Sequence, residues 1–285
     1  MSRTRALTIL SGRFPAKRAF VTGAASGLGR ATCGLLATDG WRLGLLDRSA
    51  EKLTRVSAAL EAAGAAVHAY AGDVSDEAFV AHAVEDYGNR VGGLDLMVNN
   101  AGVAVAGAAE VTPPSDWRWI VDVNLLGVAW GTRAAIPQMR AAGRGLILNV
   151  ASAAGFASGP RMAAYNATKA GVIALTETVA AELETTGVQA TVAMPGFFRT
   201  SLLDTMRAPP ADGELAQRLM QRASHDADDA AAALLLAAAR GASHVVWPRE
   251  YRLLWWLKRG FPGWFVRRAG RMGGRLAAQA DRPRG

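Results

Sequence analysis

The chain has 285 residues, 51% of them hydrophobic, which is enough for one substantial α/β core and too apolar for a disordered protein. Its one cysteine, Cys33, excludes an internal disulfide, its four scattered histidines give no metal-ligand cluster, and no apolar run approaches the roughly 18 residues that span a bilayer. The net charge of +8 belongs to residues 249–285, with ten Lys/Arg against two Asp/Glu, so residues 1–248 are neutral overall. The opening segment, MSRTRALTILSGRFPAKR, is basic but has no sustained apolar stretch or cleavage site. Residues 1–16 read as an N-terminal extension without a secretory signal, and the cytoplasm is the expected compartment, with the inner face of a membrane as a peripheral site.

Residues 18–22 (RAFVT) predict a short buried strand, followed by the turn Gly23-Ala-Ala-Ser-Gly27-Leu-Gly29 and a helix to about Asp39. A glycine-rich turn between strand and helix lets the backbone approach a pyrophosphate, and the free N–H groups of the helix start favour its charge. A second strand, Trp41 to Leu46, ends at Asp47, eighteen residues after Gly29. An acid at that place suits the hydroxyls of an adenosine ribose, and this role is preferred over that of N-cap for a helix over Ser49 to Ala63. The Asp47 charge would repel a 2′-phosphate by roughly 4 kcal/mol at about 4 Å and an effective dielectric near 20, so NAD(H) is the expected cofactor. Arg48, next in the chain, keeps NADP(H) open.

The alternation continues. A strand over 66–70 runs toward Asp73-Val74, a helix covers 76–89, and a strand from Leu94 to Val98 ends in Asn99-Asn100-Ala101-Gly102. A long helix from Ser115 to Met139 contains Asn124, the strand Gly145 to Val150 delivers Ser152, a helix with Tyr165 and Lys169 runs to about Thr186, and Val188 to Ala193 forms a further strand. Apolar strands alternating with helices predict a parallel sheet covered on both faces, a Rossmann-type doubly wound α/β fold in a single domain over 17–248. Gly23, Asp47, Asp73, Asn99, Ser152 and Pro195 all fall at C-terminal strand ends, where such sheets bind ligands.

Tyr165 and Lys169, at i and i+4, share one helix face. An ammonium beside a phenol favours the phenolate, so Tyr165 is expected to have a lowered pKa and to exchange a proton with an alcohol or carbonyl oxygen. Ser152 would hold the same oxygen. Taken alone, the pair also fits an ordinary contact on an amphipathic helix. Together, Thr22-Gly23-x-x-x-Gly27-x-Gly29, Asp73, Asn99-Asn100-Ala101-Gly102, Asn124, Ser152, Tyr165-x-x-x-Lys169 and Pro195-Gly196-x-x-x-Thr200 resemble the short-chain dehydrogenase/reductase family in order and spacing, over residues 18 to about 247. The glycine spacing is that of its compact single-domain members.

The resemblance implies a catalytic set of Asn124, Ser152, Tyr165 and Lys169. Tyr165 would be acid and base, Lys169 would hold the nicotinamide ribose, and Asn124 would distort its helix and position a water toward Lys169. It implies cofactor contacts at Gly23, Ser26, Gly27, Leu28, Gly29, Asp47, Arg48, Asp73, Val74, Asn100, Ala101, Gly102, Tyr165, Lys169, Pro195, Gly196 and Thr200. The implied activity is NAD(P)(H)-dependent hydride transfer to or from a secondary alcohol or ketone, in a homodimer or homotetramer built through the helices bearing Asn124 and Tyr165. The alternatives are a catalytically silent NAD(H) sensor and a membrane-associated scaffold on the same fold.

Ala154, Phe156, Met162, Phe197, Phe198 and Met206 are the candidate substrate contacts, and residues 201–225 read as a lid with Leu202, Leu203, Leu219 and Met220 as apolar members. Arg199 is the only nearby cation, so a hydrophobic substrate, lipid-, steroid- or acyl-like, is expected. Beyond residue 248 lies an appendage, 249–285, in which Trp255, Trp256, Phe261, Trp264 and Phe265 alternate with Arg and Lys. Peripheral contact with an anionic bilayer and packing over the pocket or a subunit interface stand level as readings, with nucleic acid below them. Pro262 and the glycines are expected to break this segment into short pieces.

Overall fold

The computed structural model describes the backbone of residues 2–280 and the side chains of residues 4–271. Met1 and residues 281–285, the outermost parts of the predicted extension and appendage, lie outside the described residues. The chain opens with α1 (Ser2–Arg13) and then alternates: β1 (Arg18–Thr22), α2 (Gly27–Ala37), β2 (Arg42–Asp47), α3 (Ala50–Ala62), β3 (Val67–Ala71), α4 (Glu77–Val91) and β4 (Leu96–Asn99). From there α5 (Pro114–Val121), a π-helical turn (Asp122–Leu126) and α6 (Gly127–Ala141) lead to β5 (Gly145–Val150). After α7 (Ala154–Ala157), α8 (Ala163–Leu183) and β6 (Val188–Pro195) come a 3-10 turn (Ser201–Thr205), α9 (Pro210–Gln221), α10 (Ala227–Ala239), β7 (His244–Trp247), α11 (Glu250–Gly260) and α12 (Pro262–Ala280).

The strands form one parallel sheet in the order β3-β2-β1-β4-β5-β6-β7. Because strand side chains alternate, each strand feeds two cores. Ala19, Val21, Leu96, Val98, Leu146 and Leu148 face the layer holding α1, α2 and α10, while Phe20, Met97 and Ile147 face the layer holding α4, α6 and α8. Helix starts follow local chemistry: Ser49 accepts from Lys52 N to cap α3, Asp76 accepts from Phe79 N to cap α4, and Asp226 and Asp229 form a capping box on α10. Strand order reverses direction between β1 and β4, so a crevice opens beyond their C-terminal ends, between the Gly23 and Asn100 turns.

The helix expected over 115–139 is distorted around Asn124, as the family resemblance implied, by a π-helical turn where the hydrogen-bond register slips by one residue. The structure departs from expectation in three places. Residues 2–13 are not a loose extension: Leu7, Leu10 and Phe14 are buried in the sheet's core, and Arg13 Nη1 donates to Ala239 O at the end of α10 at 2.8 Å. Past the last predicted strand, β7 pairs with β6 and widens the sheet. Among its described residues the appendage breaks once, at Phe261, and Gly263 and Gly270 sit inside α12, because a helical glycine weakens a helix without ending it.

Candidate active site

The glycine turn is shaped by close approach. Gly23 and Gly27 have φ of +63° and +48°, where a side chain is strained; a Cβ on Gly23 would lie 2.8 Å from Ala101 Cα, and one on Gly27 would lie 2.5 Å from Thr200 Oγ1. Gly29 faces away from the crevice and lets α2 pack against the Gly23 carbonyl. Ser26, the N-cap of α2, makes no side-chain cap bond, so the first N–H groups of α2 are free to receive an anion. Thr22 Oγ1 accepts from Asn100 N at 3.0 Å and Ala101 N at 3.1 Å, and Asn100 Nδ2 donates to Thr22 O at 3.0 Å and Gly23 O at 3.2 Å, which locks the two turns together.

Asp47 is held from both sides. Its Oδ2 accepts from Ala25 N and its Oδ1 from Ser49 N, each at 3.0 Å. Ser49, and not Asp47, caps α3. Ser26, Leu28, Arg48, Asp73, Val74, Gly102, Pro195, Gly196 and Thr200 line the same cavity as Asp47. A glycine cradle that a Cβ would fill, a bare helix start and a fixed carboxylate fit a dinucleotide.

Helix α8 carries Tyr165 and Lys169 on its buried face, and the loop after β5 brings up Ser152. Ser152 Oγ accepts from Ala154 N at 3.1 Å and donates to Pro195 O at 3.4 Å. Lys169 Nζ donates to Val150 O at 2.9 Å and lies 5.8 Å from the Tyr165 ring centroid. The expected lowering of the Tyr165 pKa by Lys169 is corrected here. Burial raises the Tyr165 pKa, with the Ser152 hydroxyl opposing it, and burial lowers Lys169 to about 8. Both charged forms lose water in the same wall, and that loss is the leading cause of each shift.

Asn124 does not line the cavity. Its Oδ1 accepts from Val103 N at 2.8 Å, and its Nδ2 donates to Val103 O at 2.9 Å and Thr168 Oγ1 at 3.4 Å. It meets the lysine across Gly102, where a Cβ would lie 3.3 Å from Asn124 Oδ1 and 3.5 Å from Lys169 Nζ.

The cavity measures about 990 Å³, at the upper end for small-molecule sites. Of the candidate substrate contacts, Ala154, Met162, Phe197 and Phe198 line it. Phe156 and Met206 do not. Phe156 is turned into the core beside Met194 and Val246, and Met206 packs against the opposite core. From the lid segment Leu202, Leu203, Leu219 and Met220 reach the wall, whereas Arg199 donates to Ala223 O at 2.6 Å and stays outside.

Two further sets of residues, outside the candidate substrate contacts, line the cavity. Arg161 Nη2 binds Asp212 Oδ2 at 2.8 Å, tying α9 to the loop that precedes α8. Tyr251, Leu254, Leu257, Trp264 and Phe265 of α11 and α12 form a further wall. Tyr251 Oη accepts from Phe197 N at 3.3 Å, and its ring fills the space where a side chain on residue 196 would stand. Of the readings for the appendage, packing over the pocket is thus realised in the structure. The spacing of Tyr251, Leu254 and Leu257 along one helix face was the signal available in the sequence.

A family model described as short chain dehydrogenase matches residues 17–211. The chain belongs to this family. This dehydrogenase is 34% identical over 207 residues to 2-dehydro-3-deoxy-L-rhamnonate dehydrogenase (NAD(+)) of Sphingomonas sp. (strain SKA58), covering 72% of this chain and 82% of the relative. It is 36% identical over 195 residues to 3-alpha-(or 20-beta)-hydroxysteroid dehydrogenase of Mycobacterium tuberculosis (strain ATCC 25618 / H37Rv), covering 68% and 74%. A crystal structure of a short chain dehydrogenase/reductase from Burkholderia phymatum in complex with NAD superposes with a TM-score of 0.82 at 31% identity, covering 86% of this chain and 93% of that one. The dehydrogenase is a nicotinamide-dependent oxidoreductase acting on CH–OH groups, on a Rossmann-type fold. The family match ends at residue 211, ahead of β7 and the α11–α12 pair.

Proposed function

We propose that this dehydrogenase works with NAD(H) in preference to NADP(H) on a hydrophobic secondary alcohol or ketone of lipid, steroid or acyl type. The observation that carries the reading is the convergence of Ser152, Tyr165 and Lys169 on one wall of a cavity whose other walls are the glycine cradle and an apolar lid. A bound nicotinamide supplies or accepts the hydride. The Gly23–Gly29 turn and the start of α2 hold its pyrophosphate, Asp47 its adenosine ribose, Asp73 and Val74 its adenine, and Thr200 its carboxamide. Asn100 braces the cradle from beneath.

The protein's own groups manage the substrate oxygen. Ser152 Oγ hydrogen-bonds that oxygen and steadies its growing charge. Tyr165, kept protonated by burial, gives its proton to the oxygen in reduction and takes it back in oxidation. Lys169 in its charged form steadies the phenolate left behind, and Asn124, across Gly102, orders the path by which the proton is replaced. NAD in the names of the Sphingomonas relative and the Burkholderia structure supports the cofactor preference, and the hydroxysteroid relative supports an apolar substrate. Assembly as a homodimer or homotetramer through α5, α6 and α8 completes the proposal.

The test is Tyr165→Phe, which removes the proton and little else. Ketone reduction should fall about a hundredfold to ten-thousandfold, the usual worth of general acid catalysis, while NADH binding measured by fluorescence persists. Turnover at the wild-type level would remove Tyr165 as acid and base.

A further inference from the structure

The two helices that wall the cavity also present an outward face. On α11, Tyr251, Leu254 and Leu257 turn to the cavity, whereas Leu253 and Trp256 are 66% and 62% exposed. At the break between the helices Phe261 is 63% exposed, and Val266 on α12 is 53% exposed. Exposed basic side chains stand among these apolar ones, Arg259, Arg267 and Arg271, with Lys258 half-buried and Glu250 the sole acid between residues 249 and 271. Arg259 lies 5.2 Å above the half-buried Trp255 ring, so its stem lies along an aromatic surface, whereas Lys258 lies 5.6 Å from the buried Phe265 ring. Trp264 and Arg268 line the cavity yet stay exposed, which puts the cavity's rim on this same surface.

We propose that the outward face of α11 and α12 seats this dehydrogenase on an anionic lipid bilayer, with the cavity rim against the membrane surface. Charge complementarity selects this occupant. Lys and Arg are drawn to anionic headgroups while aromatic and aliphatic side chains enter the boundary between headgroups and acyl chains. Leu253 and Val266 favour lipid over single-stranded nucleic acid, whose bases stack on aromatic rings and gain nothing from aliphatic chains. A second copy joined through a two-fold axis would press this basic face against itself. No helix among the described residues is long and apolar enough to cross a membrane, so the contact is peripheral. The surface is independent of which alcohol or ketone is turned over, and its test is read without any activity.

The full chain is sedimented with vesicles of phosphatidylcholine alone and of phosphatidylcholine mixed with phosphatidylglycerol. It should pellet with the anionic vesicles at about 0.01 M salt and largely leave them at about 1 M, as the screening length shrinks from about 30 Å to about 3 Å. Replacing Lys258, Arg259, Arg267 and Arg271 by Gln should lower partitioning about fivefold per charge, several hundredfold in all. Trp256→Ser with Phe261→Ser should lower it at constant charge. Both variants should melt at the wild-type temperature, and either one that folds suffices. Wild-type chain left in the supernatant at low salt would overturn the proposal, as would a folded charge variant that pellets like wild type. Tighter binding to a single-stranded oligonucleotide than to vesicles would assign the face to nucleic acid. Conversion of a dimer to a monomer by the Trp256/Phe261 changes, with vesicle binding intact, would assign it to a second copy.

Discussion

Lys169 burdens the fold in a way that one substitution exposes. Burial lowers its pKa from 10.5 to about 8, so the folded protein holds that proton a few hundredfold less tightly than the unfolded chain, which is about 3 kcal/mol. The direction follows from which state keeps the proton. Below pH about 8 both states are protonated and the folded state bears the whole penalty. Between about 8 and about 10.4 the unfolded chain keeps the proton and the folded chain sheds it, so stability rises with pH. Above that window the penalty is gone.

Methionine at residue 169 has no proton to shed. The Lys169→Met protein should therefore gain stability over wild type near neutral pH, and the advantage should shrink by about 3 kcal/mol toward pH about 10.4. The lost bond to Val150 O, 2.9 Å in the structure, subtracts about 1 to 2 kcal/mol at every pH and leaves the slope alone. Urea unfolding of both proteins at the two pH values gives the double difference, in which all shared groups cancel. An advantage that stays constant with pH would refute the claim that a desolvated ammonium sits in this wall.

Three further substitutions test the cofactor cradle and the lid. Asp47→Ala should raise NADP(H) use relative to NAD(H) by up to about a thousandfold in kcat/KM, from the roughly 4 kcal/mol of charge repulsion removed; an unchanged ratio would show that Asp47 does not read the ribose. Gly27→Ala puts a Cβ 2.5 Å from Thr200 Oγ1 at a φ of +48°, so NADH affinity should drop by about tenfold or more by fluorescence titration, and normal affinity would sink the cradle argument. Asp212→Asn breaks the ion pair with Arg161 and should loosen α9, raising KM more than it lowers kcat and speeding proteolytic nicking near α9; unchanged KM and nicking would show that the pair does not hold the lid.

Six of the seven strands were legible as short, mostly apolar runs followed by turns, while β7 was not, and the cradle was legible because Gly23, Gly27 and Gly29 serve a backbone need that few other residues can meet. What escaped was decided by tertiary packing. Phe156 stands four residues from Ser152, but the left-handed Ser158 ends its short helix and its ring goes to Met194 and Val246. The raised pKa of Tyr165 depends on how much water the closed wall leaves, which spacing does not report. Helix α11 is apolar on two sides, Tyr251–Leu254–Leu257 and Leu253–Trp256, and no sequence pattern says which of them the cavity takes. The ends of the chain were the least legible, since their partners are remote in sequence.

The packing of α1 has a consequence for synthesis. Arg13 meets α10 at Ala238 and Ala239, and the first of these contacts spans 225 residues. At roughly 5 to 20 residues per second, α1 leaves the ribosome roughly ten to forty-five seconds before its partner exists. Until then Leu7, Leu10 and Phe14 lack the helix that α1 packs against, although Leu36, Trp41 and Leu43 of the same core are already made. The packing of α1 is thus completed only late in synthesis, when α10 emerges.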